Sequence, residues 1–231
     1  MKFILSRTDD YRYHSKKWIA VYGLLFWLIT RIMVVALMYG CIAIYRHFGI
    51  NPEEAARFAG DPTALKTLFP PLFSALLLGV FAPVLEEGIF RLGLSFKRWQ
   101  VALGAACIPT YILVQRIGKI SLIKGICLSS IVVAMFCMIY FLTTDRFWAK
   151  EKKLHYHCAI WVSSIAFGLL HLMAFTSWNI EMLPYMLCVI AMPFFGGCAI
   201  AYYRINLGFQ WGVGLHIFNN LPAIAFLLIN C

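Results

Sequence analysis

The chain has 231 residues, of which 62% are hydrophobic and only 13% charged, and its mean hydropathy is +0.79. Soluble domains are nearer about 45–50% apolar and about 25% charged, so the composition excludes a water-soluble globular domain and indicates an integral membrane protein. The net charge of +10 does not point to nucleic acid, because the basic residues gather at the ends of apolar runs, where membrane topology requires them.

A helix needs about 20 apolar residues to cross the hydrocarbon core. Seven segments are candidates, at 18–45, 68–95, 100–115, 122–143, 157–177, 182–203 and 209–229. The expected fold is therefore all-α, a polytopic transmembrane helical bundle of about seven spans. The third segment is short, carries Pro109 and ends in Gln115-Arg116, so six spans remain the alternative.

The first segment is longer than a signal-peptide core of about 7–15 residues, and no small-x-small cleavage site follows it. It reads as an uncleaved anchor. Arg31 lies midway along it, with three roles open: snorkelling, lining a water-filled cavity, or pairing with an acid. In the polar connection from Arg46 to Thr67, Asn51 is placed to cap a short amphipathic helix with Pro52 at its first position.

The second segment carries the most informative residues. Within LFSALLLGVFAPVLEEGIFRLGL, residues 72–94, the charges are Glu86, Glu87 and Arg91. An ionisable side chain at the bilayer centre costs about 2.5–3.5 kcal/mol on insertion scales, so such residues usually face a protein interior and mark function. Adjacent like charges add to that cost. Glu87 and Arg91 are four apart and share a helix face. Glu86 points about 100° away and reads as the unpaired acid. Pro83 cannot donate to the carbonyl of Gly79 and should bend the helix beside the acids. The plainer reading is a buried Glu–Arg pair that fixes helix packing.

Four of the six histidines, His14, His47, His155 and His157, lie in polar or flanking segments. His171 stands in SSIAFGLLHL, where Phe167 at i−4 can pack on the imidazole. His216 stands in GLHIFNN, where Asn220 at i+4 shares its face and Asn219 is offset. Taken singly, each is a hydrogen-bonded packing residue. At 1.5 Å per residue, Glu86, His171 and His216 lie about 15, 21 and 10 Å from the cytoplasmic ends of their spans, depths compatible with convergence.

Of the 20 Lys and Arg, Arg31 and Arg91 fall within spans, and Arg46, Arg57, Lys66, Arg116, Lys119 and Lys124 fall in the segments that would be outside if the N-terminus is inside. The remaining twelve are then cytoplasmic, a two-to-one bias for an N-inside, C-outside arrangement. None of the eight cysteines forms a C-x-x-C pair, so they read as small hydrophobes rather than a disulfide framework or a thiolate zinc site.

Three motifs carry a family resemblance. EEGIFR at 86–91 resembles the E-E-x-x-x-R motif of the CAAX-protease and bacteriocin-processing (CPBP) family, also called the Abi or type II CAAX prenyl endopeptidase family. FGLLH at 167–171 is similar to its F-x-x-x-H motif, and HIFNN at 216–220 to its H-x-x-x-N/D motif. The resemblance covers about residues 70–225. It divides the chain into an N-terminal segment, anchor helix and first loop at 1–67 and an intramembrane protease core at 68–231.

The resemblance implies a CAAX-protease-like intramembrane endopeptidase, a peptide hydrolase using glutamate-activated water. By motif match, Glu86 is the general base, Glu87 with Arg91 supports it, His171 holds or activates the water, and His216 and Asn220 stabilise the oxyanion. Phe175 stands where eukaryotic members carry Asn, which argues against a prenyl-CAAX substrate rather than against the chemistry. The implied setting is the plasma membrane of a prokaryote, with the N-terminus cytoplasmic. The implied partners are membrane lipids and a membrane-associated peptide or protein, lipidated or not.

The absence of H-E-x-x-H spacing, and the hold of Arg91 on the acid pair, favour a site without metal or cofactor. Were it metal-dependent, Glu86, His171 and His216 would be the zinc ligands. Two readings from other classes stand beside the protease. One is a non-catalytic bacteriocin-immunity or scaffold membrane protein of the same family. The other is a transporter using the acids as a proton relay, which no broken-helix repeat supports.

Overall fold

The computed structural model describes residues 15–50, 57–58, 70–115, 121–177 and 180–229. Among them, seven helical rods follow the seven apolar segments. These are α1 (Lys16–His47), α2 (Pro71–Ser95), α3 (Arg98–Gln115), α4 (Leu122–Leu142), α5 (Asp145–Leu170), α6 (Leu183–Asn206) and α7 (Phe209–Ile229). Four stretches, Lys16–His47, Pro71–Ser95, Ile123–Leu142 and Ile180–Asn206, are long and apolar enough to cross a membrane by length and composition. The expected short helix at Asn51-Pro52 lies outside the described residues.

The helices stop where local chemistry stops them. Gly49 and Gly208 adopt positive φ, at 73° and 114°, to end α1 and to join α6 to α7. The Thr144 hydroxyl caps α5 by accepting from the Phe147 amide at 3.2 Å, and Asp145 sits in the first turn, where its charge suits the helix dipole.

The bounds of one helix are corrected. The fifth helix begins at Asp145 rather than near 157, because the Thr144 cap starts it and Lys, Glu and Ala in 145–153 are good helix formers. It ends at Leu170, so His171 follows the last α-helical residue and opens a 3₁₀ turn, His171–Ala174. Measured from Asp145, that position is about 39 Å along the helix. The fold is all-α as expected; beside the helices, the short β1 (Arg57–Phe58) pairs antiparallel with β2 (Phe175–Ser177).

The helix ends sort into two groups. At one, β1 meets β2, and the Tyr45 hydroxyl donates to the Glu181 carbonyl. At the other, the Arg98 guanidinium reaches the Thr143 carbonyl at 3.4 Å and the Arg204 guanidinium reaches Gln100 Oε1 at 3.2 Å. The connections expected on one side of the membrane thus meet one another.

The core is built around α6. Its residues from Gly196 to Tyr203 are buried throughout, as expected of a helix with neighbours on every side. Ile19 of α1, Leu215 of α7 and Tyr203 of α6 form one cluster, while Leu94, Ile160 and Ala201 join α2, α5 and α6. At the other extreme, α4 exposes Ile123, Phe141 and Leu142 at 73%, 73% and 79%. That arrangement suits lipid rather than water as solvent.

Glycines set the closest approaches. A Cβ at Gly104 of α3 would lie 2.9 Å from the Gly88 carbonyl of α2. Gly104→Ala is therefore expected to push these backbones apart and cost about 1–3 kcal/mol, read as a lower thermal unfolding midpoint in detergent. Gly40→Ala, where nothing lies within 4 Å of the added methyl, should leave the midpoint unchanged or higher. Equal midpoints for the two variants would contradict this packing.

Candidate active site

The acids sit on α2 just after an irregular turn. Residues Leu77–Phe81 form a π-helical turn, and the Ala82 amide donates back to the Leu77 carbonyl. Continued by one residue, this i→i−5 register brings Pro83, which has no N–H, opposite the Leu78 carbonyl. The Asn220 side-chain amide of α7 supplies the missing hydrogen bond, donating to the Leu78 carbonyl at 3.4 Å. Gly79 in the same turn leaves room for Ile224 of α7.

This bond makes a paired prediction. Asn220→Ala should cost about 0.5–1.5 kcal/mol by removing a hydrogen bond from a half-buried carbonyl. Adding Pro83→Ala, which restores a backbone N–H, should recover part of that loss. A double-mutant cycle on thermal unfolding with zero coupling would contradict it.

Glu87 and Arg91 pair as the spacing requires. Arg91 Nη1 donates to Glu87 Oε1 at 2.9 Å, and the two side chains are 0% and 1% exposed. The guanidinium also lies over the ring of Phe167, 4.0 Å from its centroid, an electrostatically favourable seat for a desolvated cation. Gly197 of α6 makes room for it, since a Cβ there would lie 2.6 Å from Arg91 Nη2.

His216 links the two acids. Its Nδ1 lies 2.8 Å from Glu87 Oε1, and its Nε2 lies 3.5 Å from Glu86 Oε2. Glu87, ionised beside Arg91, can only accept, so Nδ1 carries a hydrogen. Nε2 is then the ring nitrogen that faces Glu86.

Glu86 is not the unpaired acid the helix geometry suggested. The Tyr111 hydroxyl of α3 donates to its Oε1 at 3.0 Å, and His216 faces its other oxygen. Adjacent residues 100° apart can meet one imidazole because its two nitrogens lie on opposite edges of the ring. Glu86 keeps more solvent-accessible surface than its neighbour, at 13% against 1%.

His171 stands one ring away. Its Nδ1 lies 2.9 Å from the Phe167 carbonyl, which can only accept, so neutral His171 holds its lone pair on Nε2. Phe167 meets the imidazoles of both His171 and His216 edge-on, with centroids 5.1 and 5.4 Å apart. Among the described residues, no group of three or more His, Cys, Asp or Glu is arranged to hold a metal ion, and His171 does not join Glu86 and His216 in a ligand set.

On α7 neither amide, Asn219 or Asn220, bonds His216 among the described residues. Asn219, expected to be the weaker partner, accepts through Oδ1 from Arg31 and from Trp27 Nε1 at 3.3 Å, and donates to Asn220 Oδ1 at 3.4 Å. Arg31 thus pairs with an amide rather than an acid. The residues that the motifs did not indicate are Tyr111, Trp27 and the pair Gly196-Gly197. The glycine pair alone leaves a trace in the sequence, as two small residues together in an apolar helix.

No protein-family model, curated protein or solved structure matches this chain. The site therefore rests on its own geometry.

Proposed function

We propose that the protein is a multi-pass membrane endopeptidase, its N-terminus cytoplasmic, that hydrolyses a peptide bond of a membrane-associated peptide or protein with a water activated by Glu86. The observation that carries this reading is the Glu87–His216–Glu86 chain, buried in an apolar bundle and ending at the more accessible carboxylate. A base must sit within hydrogen-bond reach of its water and be able to pass the proton on. Glu86 Oε2, the oxygen not held by Tyr111, serves the first need, and His216 Nε2 the second. Glu87 and Arg91 fix the imidazole that does this. His171, with its lone pair on Nε2, is the second acceptor near the site. In this reading His216 acts on the proton rather than as an oxyanion donor, and Asn220 acts on the backbone of α2.

The reading is tested by reconstituting the purified protein in vesicles with bilayer-embedded peptides. Cleaved products should appear with the wild type and not with Glu86→Gln.

One observation favours a second reading, a non-catalytic immunity or scaffold protein. Both acids already have partners inside the chain, so the cluster also works as a closed packing network. In that case Glu86→Gln leaves the cellular phenotype intact and lowers only stability.

A further inference from the structure

A cleft of about 520 Å³ lies between α1 and α7, with Met192 of α6 contributing to its lining. Its rim residues Phe218 and Pro222 are exposed, so it opens to the outside of the bundle. Most of the lining is apolar, including Trp27 and Phe218, but Arg31 and Asn219 also line it.

Arg31 is the anomaly of this cleft. It is the sixteenth residue of the 32-residue α1, at the middle of the rod. Nη2 donates to Asn219, and the guanidinium carbon lies 5.7 Å from the centroid of the Trp27 ring. Nε is buried with no hydrogen-bond partner, and among the described residues neither Nη1 nor any other atom of Arg31 meets a carboxylate. Glu86 and Glu87 are engaged by Tyr111, His216 and Arg91. A guanidinium at mid-rod with no counter-charge among the described residues is costly, and an anion from outside the chain would relieve that cost.

We propose that this cleft binds a single-chain amphiphile ending in a carboxylate, such as a long-chain fatty acid, with the hydrocarbon along Trp27, Met192 and Phe218 and the carboxylate on Arg31. Charge complementarity selects the anion, and a planar guanidinium suits a carboxylate in particular. The volume is that of a small-molecule site, about 300–1,000 Å³, too small for a two-chain phospholipid with its headgroup. Depth decides further. A carboxylic acid can travel into the hydrocarbon neutral and ionise only on reaching Arg31, whereas a permanently charged headgroup would be carried to mid-height at full desolvation cost. The inference does not depend on peptide hydrolysis, because neither Arg31 nor the cleft touches Glu86.

The test is photolabelling of the full-length protein in nanodiscs with palmitic acid bearing a diazirine, followed by peptide mapping. Saturable labelling of the segments around Trp27 and Phe218 is expected, displaced by unlabelled palmitate. The methyl ester, which keeps the chain and removes the charge, should label about ten-fold less or weaker still, as for loss of one charge-assisted hydrogen bond. Arg31→Gln should fall likewise, and Arg31→Lys should retain part of the labelling. The acid-against-ester comparison needs no variant and holds even if Arg31→Gln misfolds. Equal labelling by ester and acid would overturn the proposal in favour of a groove filled by any lipid. Displacement by a hydrophobic peptide but not by palmitate would overturn it in favour of a substrate channel.

Discussion

Arg91→Met is expected to destabilise the protein by about 3–5 kcal/mol, the cost of leaving a buried carboxylate without its partner. Glu87 is 1% exposed, its Oε1 receives both Arg91 and His216, and no second cation among the described residues reaches it. Removing the guanidinium also empties the space between Gly197 and the Phe167 ring. Thermal unfolding in detergent reads the loss. The double variant Glu87→Gln/Arg91→Met removes both charges yet keeps an oxygen to accept from His216, so it should recover most of the stability. A wild-type midpoint for the single variant, or a double variant as unstable as the single, would contradict a buried ion pair at the centre of the fold.

The second large effect is on rate. Glu86→Gln should lower peptide hydrolysis by about 10²–10⁴, the contribution typical of a general base. The glutamine keeps an oxygen for the Tyr111 hydroxyl, so the fold should persist and the unfolding midpoint move little. Tyr111→Phe removes one hydrogen bond to Glu86 Oε1, about 0.5–1.5 kcal/mol, and should lower the rate far less. Initial rates with one bilayer-embedded peptide decide between the readings. Full activity in Glu86→Gln would leave the cluster as packing.

Much of the architecture was legible because lipid imposes a simple rule on sequence. Runs of apolar residues between basic clusters became helices at nearly the expected bounds, and the i,i+4 spacing of Glu87 and Arg91 gave their pairing directly. The start of α5 was hidden because Arg146–Lys153 is charged and reads as a loop. The Thr144-Asp145 cap shows that the helix continues through it. The end of α5 at Leu170 was hidden as well, because no glycine or proline follows it to mark the stop.

At the site, local rules reached only as far as one helix. The spacing paired His216 with Asn220, four residues on, whereas its partners are Glu86 and Glu87 on another helix, 129 residues away in the latter case. Tyr111 reaches Glu86 from α3, the segment with the weakest membrane signal. Arg31 and Asn219 are 188 residues apart and meet because Gly196 lets α6 approach the guanidinium, at 3.0 Å from an added Cβ. The π-turn at Leu77–Phe81 also left the Leu78 carbonyl to the Asn220 amide. Such meetings depend on how helices pack, and no periodicity encodes them.

The central claim is that water activated by Glu86 breaks a peptide bond within the membrane. Its most direct measurement uses the purified protein in vesicles containing a transmembrane peptide, suspended in oxygen-18 water, with mass spectrometry of the products. New C-termini carrying one heavy oxygen are expected with the wild type, and none above the empty-vesicle background with Glu86→Gln. No labelled C-termini with the wild type, or equal labelling in the variant, would contradict it.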